Sequence, residues 1–155
     1  FTGLRISDLL TLKFNDIVGR EKLVIKEKKT GKQRNILINR DLKEIVERVF
    51  KKMNHSNPNT LIFLNKYGTK SIDKSYVNVK LKEIMRNYRI KVDGNISSHT
   101  FRKTLGRRVM EKNEYSGESL LLLMDLFGHT SPSITKRYLG IREQEINEVY
   151  SSLSL

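Results

Sequence analysis

The sequence contains no cysteine. This absence excludes a disulfide framework, a thiolate zinc finger and a cysteine nucleophile, and is what a reducing cytosol permits. No run approaches the roughly 18 uninterrupted apolar residues that a membrane span needs, and no signal-peptide pattern opens the chain. An initiator methionine is missing too. Phe1-Thr2-Gly3-Leu4-Arg5 reads as the start of a helix, and the expectation is a piece excised from a longer protein. Repeats, low-complexity segments and linkers are lacking, so residues 1–155 are expected to form one domain.

Acidic residues are scarce relative to basic ones. The chain has 17 Asp+Glu against 30 Lys+Arg, a net charge of +13 at pH 7 over 155 residues. Such an excess calls for a polyanionic partner, nucleic acid or an anionic membrane surface. A membrane-binding helix would set bulky apolar groups opposite its cations. The most basic run, Lys28-Lys29-Thr30-Gly31-Lys32-Gln33-Arg34, has none and sits at a turn, which favours nucleic acid. The charge is also uneven, +12 over residues 1–98 and +1 over the last 57. The first part is therefore expected to supply most of a salt-sensitive phosphate grip.

With 37% hydrophobic residues, the chain can still build a core. Thr2 is placed to cap a helix carrying Leu4, Ile6, Leu9, Leu10 and Leu12. Residues 22–27 and 34–38 are β-rich and flank a Thr-Gly turn, which predicts a hairpin. Asn39 can cap a helix with Leu42, Ile45, Val46, Val49 and Phe50 on one stripe. A loop is expected at His55–Thr60, then a short apolar Leu61-Ile62-Phe63. A helix over 74–90 would bury Val77, Leu81, Ile84, Met85 and Tyr88, and Asp93-Gly94-Asn95 would stop the chain there. Ser98 is the expected cap of a helix running to about Met110. After a polar loop at Lys112–Glu118, Leu120–Phe127 predicts a buried helix ended by Gly128. Ser131-Pro132 opens another helix, and Arg142–Tyr150 forms the last. The fold class expected is α+β, mostly helical with one small antiparallel sheet.

Three stretches carry residues that packing alone does not explain. Gly3-Leu4-Arg5 puts an arginine at a helix start amid core residues. Ser98-His99-Thr100-Phe101-Arg102 sets a histidine and an arginine three apart on one helix face, near an N-terminus that favours anions. Leu126-Phe127-Gly128-His129 puts a histidine in a tight turn, and Tyr138 follows it by nine residues. Each motif alone is weak. Together, in order and in register over essentially the whole chain, they resemble the catalytic domain of the tyrosine recombinase (phage integrase) family. The family's pattern falls on Arg5, a hairpin lysine, His99 with Arg102, His129 and Tyr138. Lys28, Lys29 and Lys32 all lie in the hairpin, and Lys29-Thr30-Gly31 matches the family's form best. Asp8 stands where the family usually has Glu, as a support to the first arginine, and Phe127 stands where it usually has Leu.

The resemblance implies DNA strand exchange by two transesterifications through a 3′-phosphotyrosine. Tyr138 would be the nucleophile, and a phenol with a reference pKa of about 10 must lose its proton in the attack. Arg5 and Arg102 would hold the phosphate, as planar guanidinium forks suit its oxygens. His99 would assist proton transfer, His129 would donate a hydrogen bond to a phosphate oxygen, and Lys29 would protonate the leaving 5′-alkoxide. Lys28, Lys32 and Arg34 are the candidate DNA-binding cations beside it. No metal and no cofactor is implied, and the motifs lack the clustered carboxylates of metal-dependent nucleases. The implied partners are double-stranded DNA and further protomers in a tetrameric synapse, in a cytoplasmic, nucleoid-associated setting, with the family's N-terminal DNA-gripping domain outside this chain. The last helix, with Ile146, Val149 and Leu153, would dock on a neighbouring protomer or fold back on its own domain. Tyr150 is a competing tyrosine that the family interval excludes and that is expected to pack. A type IB topoisomerase-like activity and a non-catalytic DNA-binding module on the same fold are the alternatives.

Overall fold

Two five-residue strands, β1 (Lys22–Lys26) and β2 (Gln33–Leu37), form one antiparallel hairpin with Lys22 opposite Leu37 and Lys26 opposite Gln33. Alternation turns Leu23 and Ile25 inward while Lys22, Val24 and Lys26 face outward. The turn closes with the Gly31 amide on the Glu27 carbonyl and the Glu27 amide on the Lys32 carbonyl. Gly31 adopts φ +67°, a left-handed conformation that glycine takes without steric cost.

The computed structural model describes residues 2–53, 57–92 and 94–153. His55 and Ser56 of the expected loop, and Asp93 of the expected helix stop, lie outside them. The chain divides into two compact units, residues 1–99 and 100–155, each with its own core. Apart from the one antiparallel sheet, the described elements are helical, an α+β architecture. Among the described residues no helix is long and apolar enough to cross a membrane.

In the first unit Leu4, Leu12, Phe14, Ile17, Leu23, Ile38 and Val46 form the core. The opening helix is shorter than its apolar spacing predicts. It is a single turn, α1 (Ile6–Leu9), with Arg5 as its extended N-cap residue and no side chain capping it. Thr2 does not cap it, and its hydroxyl accepts from the Leu4 amide instead. The helix cannot continue because its next carbonyls bond elsewhere. Leu10 accepts from the Ser71 hydroxyl, and Leu12 accepts from the Ile62 amide. Leu61 thus forms a single antiparallel bridge with Lys13. Helix α2 (Arg40–Lys52) starts where Asn39 accepts the Leu42 amide, and packs Leu42, Val46, Val49 and Phe50 on the core. Helix α3 (Lys74–Asn87) is capped by Asp73 and buries Leu81 alone. Ile84 and Tyr88, expected on its inner face, are exposed.

Helix α4 (His99–Lys112) begins at the unit boundary. Its expected cap, Ser98, makes no hydrogen bond through its buried hydroxyl, and the His99 amide donates to Ser97. In the second unit, α4 is followed by α5 (Gly117–Phe127), α6 (Pro132–Leu139) and α7 (Ile141–Ser152). Their core holds Met110, Leu120, Leu123, Phe127, Leu139 and Ile141. Helix α5 reaches back into the expected polar loop because Ser116 caps it, accepting from the Ser119 amide. It is not buried all round, since Leu121 and Leu122 face solvent on the side away from Leu120 and Leu123. Gly106 of α4 lets two buried side chains approach, as a Cβ there would lie 2.5 Å from Leu139 Cδ2 and 3.0 Å from Phe127 Cζ. On α7, Ile146, Val149 and Tyr150 are exposed, as is Leu153 after it, so the expected packing of Tyr150 is not found.

Candidate functional site

The candidate residues fall into two groups, one in each unit. In the first unit the organising residue is Glu27, which the sequence reading missed. Its side chain is only 3% exposed. Arg5 Nη1 donates to its Oε2 at 2.7 Å, the Thr30 hydroxyl donates to the same oxygen at 2.7 Å, and Arg34 Nη1 donates to Oε1 at 3.2 Å. Burial pushes this carboxyl up. The hydrogen bonds from Thr30, Arg5 and Arg34 and the charge of Arg5 outweigh that, and hold it below the ordinary glutamate value. The signal for Glu27 was available: it ends the run Leu23-x-Ile25-x-Glu27, whose alternation turns it inward with the leucine.

Asp8 lies on α1 and is buried, and its Oδ1 accepts the Lys28 backbone amide at 3.0 Å. It thus holds the base of the hairpin turn. Lys28, Lys29 and Lys32 are exposed around that turn, whereas Arg34 is half-buried against Glu27.

In the second unit the site grows from the end of α5. Gly128 takes the left-handed conformation (φ 60°) and caps the helix, its amide on Asp125 and the His129 amide on the Met124 carbonyl. This fixes His129 through its own backbone. Its ring is then held by Thr135, whose buried hydroxyl lies 3.0 Å from Nδ1. Ser131 and Pro132 start α6 as expected, the serine capping the Ile134 amide. One turn beyond Thr135, α6 brings the half-buried Tyr138 ring to 5.3 Å from His129, edge to face.

Arg102 is buried from α4 and donates from Nη2 to the Phe127 carbonyl at 2.9 Å. The last carbonyl of a helix carries partial negative charge, so the cation completes α5. The guanidinium also lies 4.6 Å from the Phe127 ring centroid. Phe127 is fully buried, and its ring meets His129 and Tyr138 at 5.5 Å each. A leucine there would fill space but offer no ring to the cation. Lys103, not singled out from sequence, sets its ammonium 5.5 Å from the Tyr138 ring centroid. A cation there favours a developing phenolate. His99 is exposed in the first turn of α4, one helical turn before Arg102. Among the described residues no three of His, Asp or Glu converge to hold a metal ion.

The chain has counterparts among known proteins in both fold and sequence. Solved structures of the same fold include a XerA recombinase, with a TM-score of 0.70 at 18% identity, covering 97% of this chain and 52% of that one. A XerH site-specific recombinase bound to palindromic difH substrate in a post-cleavage complex gives 0.67 at 22% identity, covering 98% and 42%. The chain therefore shares the fold of these recombinases.

The family model described as the phage integrase family matches residues 1–145. The probable integrase/recombinase YoeC of Bacillus subtilis (strain 168) is 32% identical over 149 residues, 96% of this chain and 77% of that protein. The tyrosine recombinase XerA of Pyrococcus horikoshii is 26% identical over 154 residues, 99% of this chain and 51% of that protein. The chain belongs to the phage integrase family, as a catalytic domain of the tyrosine recombinase kind. It spans about three quarters of YoeC and about half of the XerA relative.

Proposed function

We propose that the chain carries out site-specific DNA recombination by metal-independent transesterification, with Tyr138 as the nucleophile. The observation that carries this reading is the second unit's cluster of Arg102, His129 and Tyr138 around the Phe127 ring. A buried arginine, a backbone-fixed histidine and a phenol gathered on one phenylalanine ring suit attack on a phosphodiester. The Tyr138 oxygen bonds to phosphorus as the 5′-oxygen leaves, giving a 3′-phosphotyrosine and a free 5′-hydroxyl. Negative charge spreads over the non-bridging oxygens, and positioned cations stabilise it. Arg102 and Arg5 serve as those cations, and His129 donates from Nε2 to a phosphate oxygen. The Thr135 hydroxyl, 3.0 Å from Nδ1, supports that role when it donates, since the ring proton then stays on Nε2.

His99 accepts the phenol proton, and Lys103 favours the phenolate electrostatically. Lys29, on the exposed turn of the hairpin, protonates the leaving alkoxide. A second strand's 5′-hydroxyl then reverses the step. Double-stranded DNA is the substrate, with Lys28 and Lys32 on its backbone. Further protomers are the partners, and the exposed Ile146, Val149 and Leu153 are the residues for docking them.

The test is a nicked suicide duplex that traps the covalent adduct. The unaltered chain is expected to form the adduct in excess EDTA. Tyr138→Phe should form none while binding DNA nearly as well. Normal adduct levels in that variant would remove Tyr138 from the role, and a strict need for Mg²⁺ would overturn the mechanism.

A further inference from the structure

We infer that Glu27 is a positioning residue that ties the lysine hairpin to Arg5, so that one buried carboxylate orients both. The inference rests on the proposed function for the roles of Arg5 and Lys29. The tie itself is read from geometry alone.

Glu27 stands where β1 ends and the turn begins, at the root of Lys28-Lys29-Thr30-Gly31. Its backbone closes that turn through the Gly31 and Lys32 groups. Its side chain faces the other way chemically. Oε2 is shared between the Thr30 hydroxyl, which belongs to the turn, and Arg5 Nη1, which belongs to the start of α1. Oε1 takes Arg34 from β2. A carboxylate buried to this degree is stable only while its donors stay in place. Displacing Thr30 therefore weakens the hold on Arg5, and the reverse is also true. Asp8 makes a second, parallel tie. It is three residues after Arg5, on the helix that Arg5 begins, and it accepts the amide of Lys28.

Arg5 is no ordinary surface cation. Its Nη1 is held by Glu27 Oε2, which sets the direction of the guanidinium plane. A phosphate meeting it bonds to a fork that is already oriented, which reduces the ordering needed at the transition state. Lys29 sits one residue before Thr30, so the hydroxyl that touches Glu27 also limits where the lysine's backbone goes. The hairpin lysine and the first arginine, far apart in sequence, are thereby set together.

The test measures single-turnover adduct formation by the full chain on the suicide duplex, for Glu27→Gln, Arg5→Lys and both together. Glu27→Gln keeps an acceptor but loses the charge. A positioning role predicts a rate lower by about 10-fold to 10²-fold at saturating DNA, with the reactive fraction and DNA affinity little changed. It also predicts that the double variant loses much less than the product of the single losses. A merely structural role would lower the reactive fraction and leave the rate of the folded molecules intact, and this result, or independent losses, would overturn the inference.

A second readout needs no catalysis. The Arg5 side-chain Nε–H resonance, followed by NMR, should shift in Thr30→Val, because the Thr30 hydroxyl and Arg5 Nη1 share Glu27 Oε2. An unmoved resonance would break the tie. If the unaltered chain forms no adduct but the resonance responds, the proposed function fails and the tie stands. If adduct forms and neither rate nor resonance responds, the tie fails and the function stands.

Discussion

Replacing Thr135 by valine asks how much of the chemistry depends on one hydroxyl. Thr135 is fully buried, and valine matches its volume, so the change opens no cavity. Both residues are β-branched and have similar helix propensity, so α6 should be little disturbed. The backbone bond from the Thr135 amide to the Ser131 carbonyl survives. What disappears is the 3.0 Å contact to His129 Nδ1. A typical hydrogen bond contributes about 0.5–1.5 kcal/mol net, and that range corresponds to about a 2-fold to 13-fold change in a rate or population. The half-buried ring can regain part of the loss from water, so the cleavage rate should fall about 2-fold to 10-fold.

Single-turnover cleavage measures that fall, and ring-nitrogen NMR reports where the His129 proton resides. The expected pair of results is a slower step and a smaller share of the Nε2–H form, with the melting temperature lowered by no more than about 10 °C. An unchanged rate together with an unchanged tautomer would refute the argument that Thr135 sets the histidine.

Two further expectations concern stability. Gly106→Ala gains about 1 kcal/mol of helix propensity, but its Cβ would press on the buried Leu139 and Phe127, and overpacking costs about 1–3 kcal/mol. Net destabilisation of up to about 2 kcal/mol should appear in urea unfolding, and clear stabilisation would show that the second core is looser than described. The lowered carboxyl of Glu27 gives the second. A group whose value is lower folded than unfolded contributes stability that is fully present above its unfolded value and is lost as pH falls through its folded value. Unfolding midpoints measured from neutral pH downward should therefore drop more steeply for the unaltered chain than for Glu27→Gln, and parallel curves would contradict the assignment.

The sequence made the regular elements legible wherever a local cap coincided with a hydrophobic period. Asn39, Gly128 and Ser131-Pro132 each bound an element where expected, since the forces that place such caps act over a few residues. The misses have non-local causes. Leu10 and Leu12 continue a helical period, yet their carbonyls bond Ser71 and Ile62, and no local pattern reports a partner so far along the chain. The Leu120–Phe127 run suggests burial on every side, but a core of this size covers one face and leaves Leu121 and Leu122 in water. The candidate site shows the same division. Arg5, His99, Arg102, His129 and Tyr138 were singled out because they fall on the family's motifs. Glu27 and Thr135 face those residues instead: the alternation of its strand was the one signal for Glu27, and a threonine in a helix carries no mark of its own. Phe127 read as a simple exchange for leucine until its ring was seen beside a guanidinium and two other rings.

The shared carboxylate at position 27 also shapes how this protein can change over generations. Arg5, Thr30 and Arg34 meet at one side chain, so a substitution at any of the four alters the worth of the other three. Drift there is epistatic. A lone loss of the acid strands two cations, whereas an arginine lost first makes the acid's later loss cheaper. The order of mutations, and not only their identity, decides which descendants survive.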